Sequence, residues 1–184
     1  MRDLIITENI TVDGVIEATG GWFAPAGGES AMADLENALA EQRDAADALL
    51  LGKVTFEQMR GFWPDQTDDP TGTSDYLNAV DKYVVSSTLD EPGWDNSTIL
   101  RGDLIQDVRA LKSAPGRDIV CTGSVRLVHA LVAARIIDEF RLFTYPVVLG
   151  HGARLFDDAT ELGKLRLVET QPFRSGVVLT RYRT

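Results

Sequence analysis

The chain has 184 residues, about the length of one ordinary domain, and at that size a folded chain can bury most of the surface it exposes when unfolded. Apolar residues make up 44% and charged residues 25%, a globular balance, and no long uncharged apolar run resembles a membrane span. The net charge of −10 would repel a nucleic acid or an anionic membrane, while 1 cysteine and 2 histidines exclude an intrachain disulfide and leave little for a metal cluster.

The apolar stretch at the N-terminus, Leu4-Ile5-Ile6, is too short for a secretory signal and predicts both a first strand and a cytoplasmic location. A Gly-rich loop from Gly14 to Gly28 follows, longer than a connector needs. Ser30 to Asp47 carries strong helix formers with Met32, Leu35 and Leu39 at helical spacing, and Ser30 is placed to cap it. Ala48 to Leu51, stopped by Gly52, reads as a buried strand leading into a helix from about Thr55 to Gly61.

After a polar loop containing Pro64 and Pro70, Lys82 to Ser86 and Thr98 to Leu100 read as strands, and Asp103 to Lys112 as an acidic-started helix closed by Pro115-Gly116. Asp118 to Cys121 repeats the strand, Thr122-Gly123-Ser124 the turn, and Val125 to Ala134 the helix. A strongly apolar strand from Asp138 to Val148 comes next. Leu165 to Phe173 and Val177 to Arg183, joined at Ser175-Gly176, then form an antiparallel hairpin. The alternation predicts one α/β domain over residues 1 to 184, with a mixed, mostly parallel central sheet.

A dinucleotide pyrophosphate is held by backbone N–H groups and hydroxyls, ideally where a strand gives way to a helix N-terminus. Gly52-Lys53-Val54-Thr55 and Gly123-Ser124-Val125 both have that character, and Ser86-Ser87-Thr88 ends a strand in three hydroxyls. Each of these alone is equally the mark of an ordinary turn or cap. Neither glycine segment is the GxGxxG of Rossmann folds or the GxxxxGK[ST] of phosphate-loop nucleotidases. Cys121 in an apolar strand reads as a small buried hydrophobe, and His129 and His151 as surface or packing residues.

The ordered series Thr11-Val12-Asp13-Gly14, Leu51-Gly52-Lys53-Val54-Thr55, Thr122-Gly123-Ser124, Ile137 to Leu142 and Tyr145 to Gly152 resembles the dihydrofolate-reductase-like family. The branch it most resembles contains the reductase domain of the bifunctional riboflavin-biosynthesis deaminase/reductase. The deaminase motifs H-x-E and P-C-x-x-C are absent from the chain. The resemblance implies a three-layer fold, a homodimer, and an enzyme that uses NADPH to reduce a pteridine, pyrimidine or imine.

By the same resemblance Asp13 and Gly14 would lie beside the nicotinamide and Gly52, Lys53 and Thr55 at the adenosine-side phosphates. Ser86, Ser87 and Thr88 would reach the ribose 2′-phosphate, and Gly123, Ser124 and Val125 the pyrophosphate. Lys53 stands where the family usually has arginine, keeping the charge without the bidentate fork. Glu29, Asp34 and Glu36 are acidic candidates near the first helix, with Asp34 nearest the expected catalytic place, although an acid in a first turn is also favoured simply by the helix dipole. Trp22 and Trp63 could stack on a flat substrate or merely cover the core. The competing expectation is a nucleotide-binding module of this fold without turnover, a sensor or carrier.

Overall fold

The computed structural model describes residues 1–23, 32–156 and 161–184. Residues 24–28 of the loop expected from Gly14 to Gly28, with Glu29 and Ser30, therefore lie outside the described residues. Among the described residues eight strands form one sheet, in the order β4-β3-β2-β5-β1-β6-β8-β7. They are β1 (Leu4–Thr11), β2 (Ala46–Gly52), β3 (Asp81–Val85), β4 (Ser97–Leu100), β5 (Asp118–Cys121), β6 (Glu139–Tyr145), β7 (Arg166–Pro172) and β8 (Val178–Arg183). The first six run parallel and β8 is antiparallel to both β6 and β7, so the mixed sheet with its C-terminal hairpin is as the sequence predicts.

Among the described residues five helices cover the sheet: α1 (Ala33–Ala45), α2 (Lys53–Arg60), α3 (Thr73–Ala79), α4 (Leu104–Ser113) and α5 (Val125–Ala133). On one face Val108 of α4 and Leu127, Val128 and Leu131 of α5 pack on Leu4, Ile6, Leu50, Ile119 and Phe140. On the other, Phe56 of α2 and Leu77 of α3 pack on Ile5, Leu49, Leu51 and Val120, while Leu35 of α1 packs on Phe143 and Tyr145. The central strands thus bury both faces, which is why they read as continuous apolar runs. Each such Leu or Ile contributes roughly 1.5–3 kcal/mol by burial.

Three local details depart from the expected boundaries. Ala46 and Asp47 belong to β2 rather than to the first helix: Ala46 pairs with Asp118, and Asp47 accepts from Arg117 N at 2.9 Å and pairs with Arg2. The strand expected from Asp138 to Val148 stops at Tyr145, where Pro146 brings no N–H to the ladder. The segment expected as loop after Pro70 contains α3, whose first turn is tied by Asp69 Oδ2 accepting from Ser74 N at 2.8 Å. Elsewhere the expected capping chemistry is present, with Asp103 Oδ1 accepting from Gln106 N at 2.9 Å at the start of α4. No described helix is long and apolar enough to cross a membrane.

Candidate functional site

Neighbouring strands β5 and β1 send their chains in opposite directions, β1 through α1 to β2 and β5 through α5 to β6. Right-handed crossovers then put α1 and α5 on opposite faces and leave a crevice at the carboxyl ends of these strands. The glycine-bearing turns identified from the sequence converge on this edge.

The β2–α2 and β5–α5 turns are bonded directly to one another. Gly52 N donates to Ser124 Oγ at 2.9 Å, Ser124 Oγ donates to Thr55 Oγ1 at 3.0 Å, and Thr55 Oγ1 donates to Gly123 O at 3.0 Å. Neither Gly52 nor Ser124 caps its helix with a side-chain hydrogen bond, so two helix N-termini lie side by side without side-chain caps. The glycines are there for close approach. Gly123 has φ +65°, and a Cβ on it would come within 3.3 Å of Thr55 Cγ2. Val125, half-buried, opens α5 just behind it.

This edge fits the pyrophosphate of a dinucleotide: donors, small residues and two dipole ends of one sign converge there. Beneath it lies Glu8, 3% exposed, whose Oε1 accepts from Gly123 N at 2.8 Å. Burial pushes its carboxyl up to about 8 and outweighs the Gly123 hydrogen bond, so near neutral pH the acid is mostly protonated and adds little negative charge below the turn.

Lys53 and the hydroxyl segment also meet. Lys53 Nζ donates to Thr88 Oγ1 at 3.1 Å, and Ser87 and Thr88 are exposed. Ser86 turns inward instead, its Oγ accepting from Thr88 N at 3.2 Å and Leu89 N at 3.0 Å. Arg101, just past β4, donates to Leu89 O and to Asp90 O, the latter at 3.2 Å, and supplies a second cation beside the loop. Arg101 was legible in the sequence only by position: a basic residue directly after Thr98-Ile99-Leu100 stands at a strand end as Lys53 does after its strand.

Asp13 ties the end of β1 to the turn beyond β6. Its carboxylate accepts from Thr11 Oγ1 at 2.7 Å, Gly150 N at 2.8 Å and Leu149 N at 3.2 Å. The Thr11 hydroxyl, followed by the Gly150 amide, holds its carboxyl down at about 2. Gly14 follows with φ +85°. Asp13 is therefore a fixed anion that fastens two loops.

On the α1–α3 face a cavity of about 470 Å³ opens beside this edge, within the range of small-molecule sites. Thr7 and Asn9 of β1, Leu49 of β2, Val120 of β5 with Thr122 just beyond its end, and Phe143 and Tyr145 of β6 make its sheet floor. Leu35, Glu36 and Arg43 of α1, Met59 of α2, Trp63, and Tyr76 and Leu77 of α3 wall it. Thr122, adjacent to Gly123, joins the cavity to the glycine turns.

Trp63 lines the cavity. Trp22 is not among the lining residues. It donates Nε1–H to Glu17 O at 2.9 Å and stands edge-on to Tyr145 and Phe23, both lining residues. Asp34 also lies outside the lining: one oxygen accepts from Leu35 N and the other from Arg174 N in the β7–β8 turn, each at 3.0 Å. Glu36, further along the same helix, is the carboxylate that borders the cavity. Thr7, Asn9 and Tyr76 were missed. The polar run Thr7-Glu8-Asn9 inside an otherwise apolar strand was the available signal for the first two.

Cys121 is fully buried, and burial raises its thiol well above the usual range. His129 and His151 bond the backbone carbonyls of Arg154 and Leu149, consistent with packing roles.

The chain matches the model of the RibD C-terminal domain over residues 2–179. It is 32% identical over 184 residues to the uncharacterized protein YyaP of Bacillus subtilis strain 168, covering 98% of this chain and 94% of that one. Among solved structures it resembles a putative riboflavin biosynthesis protein from Shewanella sp. PV-4, with TM-score 0.76, 18% identity and 98% of each chain covered. It also resembles dihydrofolate reductase from Enterococcus faecalis, solved as a complex with NADP(H), with TM-score 0.64, 16% identity, and 98% of this chain and 95% of that one covered. Strand order, hairpin and whole-length match agree: the chain belongs to the RibD C-terminal domain family, with a dihydrofolate-reductase-like fold.

Proposed function

We propose that the chain is an NADPH-dependent reductase acting on a flat small molecule of pteridine, pyrimidine or imine type. The observation that carries this reading is the junction at Thr122-Gly123: two adjoining helix N-termini suited to a pyrophosphate open directly beside a cavity of small-molecule size. When bound, the cofactor would supply hydride, and the protein's share is placement.

Gly52, Thr55, Gly123, Ser124 and Val125 would hold the pyrophosphate. Lys53, Arg101 and Thr88 would face the adenosine-side phosphate, and Asp13 would keep the loop at Gly14 fixed beside the nicotinamide. Trp63 and Phe143 would press on the faces of a flat ring and exclude water from it. Membership of the RibD C-terminal domain family and the likeness to a reductase solved with NADP(H) support the reading.

Reversing the charge at Lys53 tests the cofactor site. Lys53→Glu should weaken NADPH binding by about tenfold or more, since a cation beside a phosphate becomes an anion. An unchanged dissociation constant would overturn the assignment. Turnover is read separately, from absorbance at the reduced-nicotinamide band with a panel of dihydropteridines, pyrimidines and imines. Binding without oxidation across the panel would make the chain a sensor or carrier instead.

A further inference from the structure

We infer that Thr7 determines specificity, its hydroxyl anchoring the inward edge of an uncharged flat ring in the cavity. The inference rests on reading that cavity as the substrate site, and it does not depend on which cofactor occupies the neighbouring edge.

Thr7 lies on β1 in the cavity floor and is 7% exposed. Its Oγ1 is, among the described residues, the one buried side-chain polar atom with no hydrogen-bond partner. Thr11, on the same strand and the same face, shows what a satisfied threonine does here. It donates to Asp13 Oδ1 at 2.7 Å and accepts from Val15 N at 2.8 Å. Buried Lys82 and Lys112 likewise find carbonyls, at Leu77 and Val80 and at Ile136. Packing gives no reason for the hydroxyl, because valine has the same shape and carries no polar atom to strand. A buried polar group left unpaired costs folding free energy, so its retention in a cavity floor points to a partner that arrives with the ligand.

The surroundings set the ligand's charge. The cavity floor around Thr7 is uncharged, with Asn9, Leu49, Val120, Thr122 and Phe143. The ionisable lining residues Glu36, Arg43 and Tyr76 sit on the walling helices and not on the floor. Arg141, paired with Thr7 across β1–β6, does not line the cavity, and its guanidinium is matched by Glu139 at 2.7 Å and Asp118 at 3.3 Å. A protonated ring edge against this floor would lose its hydration and find no carboxylate on the floor strands in return. A hydroxyl can instead donate to a carbonyl or ring nitrogen, or accept from a ring N–H, and each is a neutral partner.

Two bicyclic probes of equal shape separate the cases: quinazolinedione, neutral with amide edges, and diaminoquinazoline, a base. Each is titrated calorimetrically into the wild-type protein, Thr7→Val and Thr7→Ser, with NADPH titrated into the same three proteins. Quinazolinedione should bind the wild type and Thr7→Ser. Its affinity for Thr7→Val should fall by about ten- to a hundredfold, because a site built to bond a polar edge then leaves that edge unpaired. Thr7→Val should melt no lower than the wild type and bind NADPH equally well. The inference is overturned by equal quinazolinedione affinity in wild type and Thr7→Val, by failure of quinazolinedione to bind, by tighter binding of diaminoquinazoline, or by a lowered Thr7→Val melting temperature. Loss of NADPH binding with the quinazolinedione contrast intact would sink the cofactor assignment and leave this one standing.

Discussion

Glu8 gives the protein a stability that should fall as pH rises through neutrality. In the unfolded chain its carboxyl ionises near 4.5, whereas in the fold burial pushes it up to about 8. Between those values unfolding releases a proton, so stability is fully present below about 4.5 and lost progressively until about 8. Each pH unit inside the window is worth about 1.4 kcal/mol, on the order of 3 kcal/mol by neutral pH. Glu8→Gln keeps an acceptor for Gly123 N, 2.8 Å away in the wild type, and cannot ionise. The variant should therefore be the more stable protein above about pH 6, and the two should converge near about pH 4.5. Urea unfolding midpoints across that range measure the difference. Two parallel curves would refute the reasoning, since they would mean that Glu8 ionises alike in both states. The same titration places a negative charge under Gly123 in the wild type alone, so NADPH affinity should fall above about pH 8 there and hold in Glu8→Gln.

Gly123→Ala should cost about 1–2 kcal/mol of stability and weaken NADPH binding together, because φ +65° and the 3.3 Å approach to Thr55 both oppose a Cβ. Thermal melts and a cofactor titration read the two effects, and full retention of both would deny that the turn needs glycine. Glu139 predicts acid lability. Burial pushes its carboxyl up, but hydrogen bonds from Arg181 at 2.8 Å and Arg141 at 2.7 Å outweigh it and hold the group at about 2. A depressed acid contributes stability above its unfolded value of 4.5 that is lost as pH falls towards about 2, so Glu139→Gln should flatten the acid limb of the unfolding curve. Glu139→Ala should cost about 1–3 kcal/mol at neutral pH by leaving the buried Arg141 guanidinium with Asp118 alone, measured by denaturant melts.

Most of the fold was legible because its signals are local. Apolar runs stopped by glycine mark β2 and β5, the Asp103 cap marks α4, and Ser175-Gly176 marks the last hairpin. The helix α3 was not legible. It has seven residues, too few for helical periodicity to show, and it is held by Leu77 in the core and by Asp69 before it. The boundary between α1 and β2 was misplaced because alanine and aspartate carry no strand signal, and it is the pairing with Arg2 and β5 that extends Ala46-Asp47.

The sequence by itself determined which turns have the chemistry of a phosphate cradle, since glycine, hydroxyl and helix start are consecutive residues. Only the tertiary structure decided that the two turns bond one another, that Asp13 is spent fastening loops, that Asp34 faces the hairpin, and that Thr7 lies unpaired in the floor of a cavity. These depend on residues from about 40 to 140 positions apart in the chain meeting across the sheet. Distances of that kind are set by strand order and crossover direction, and no window of neighbouring residues encodes them.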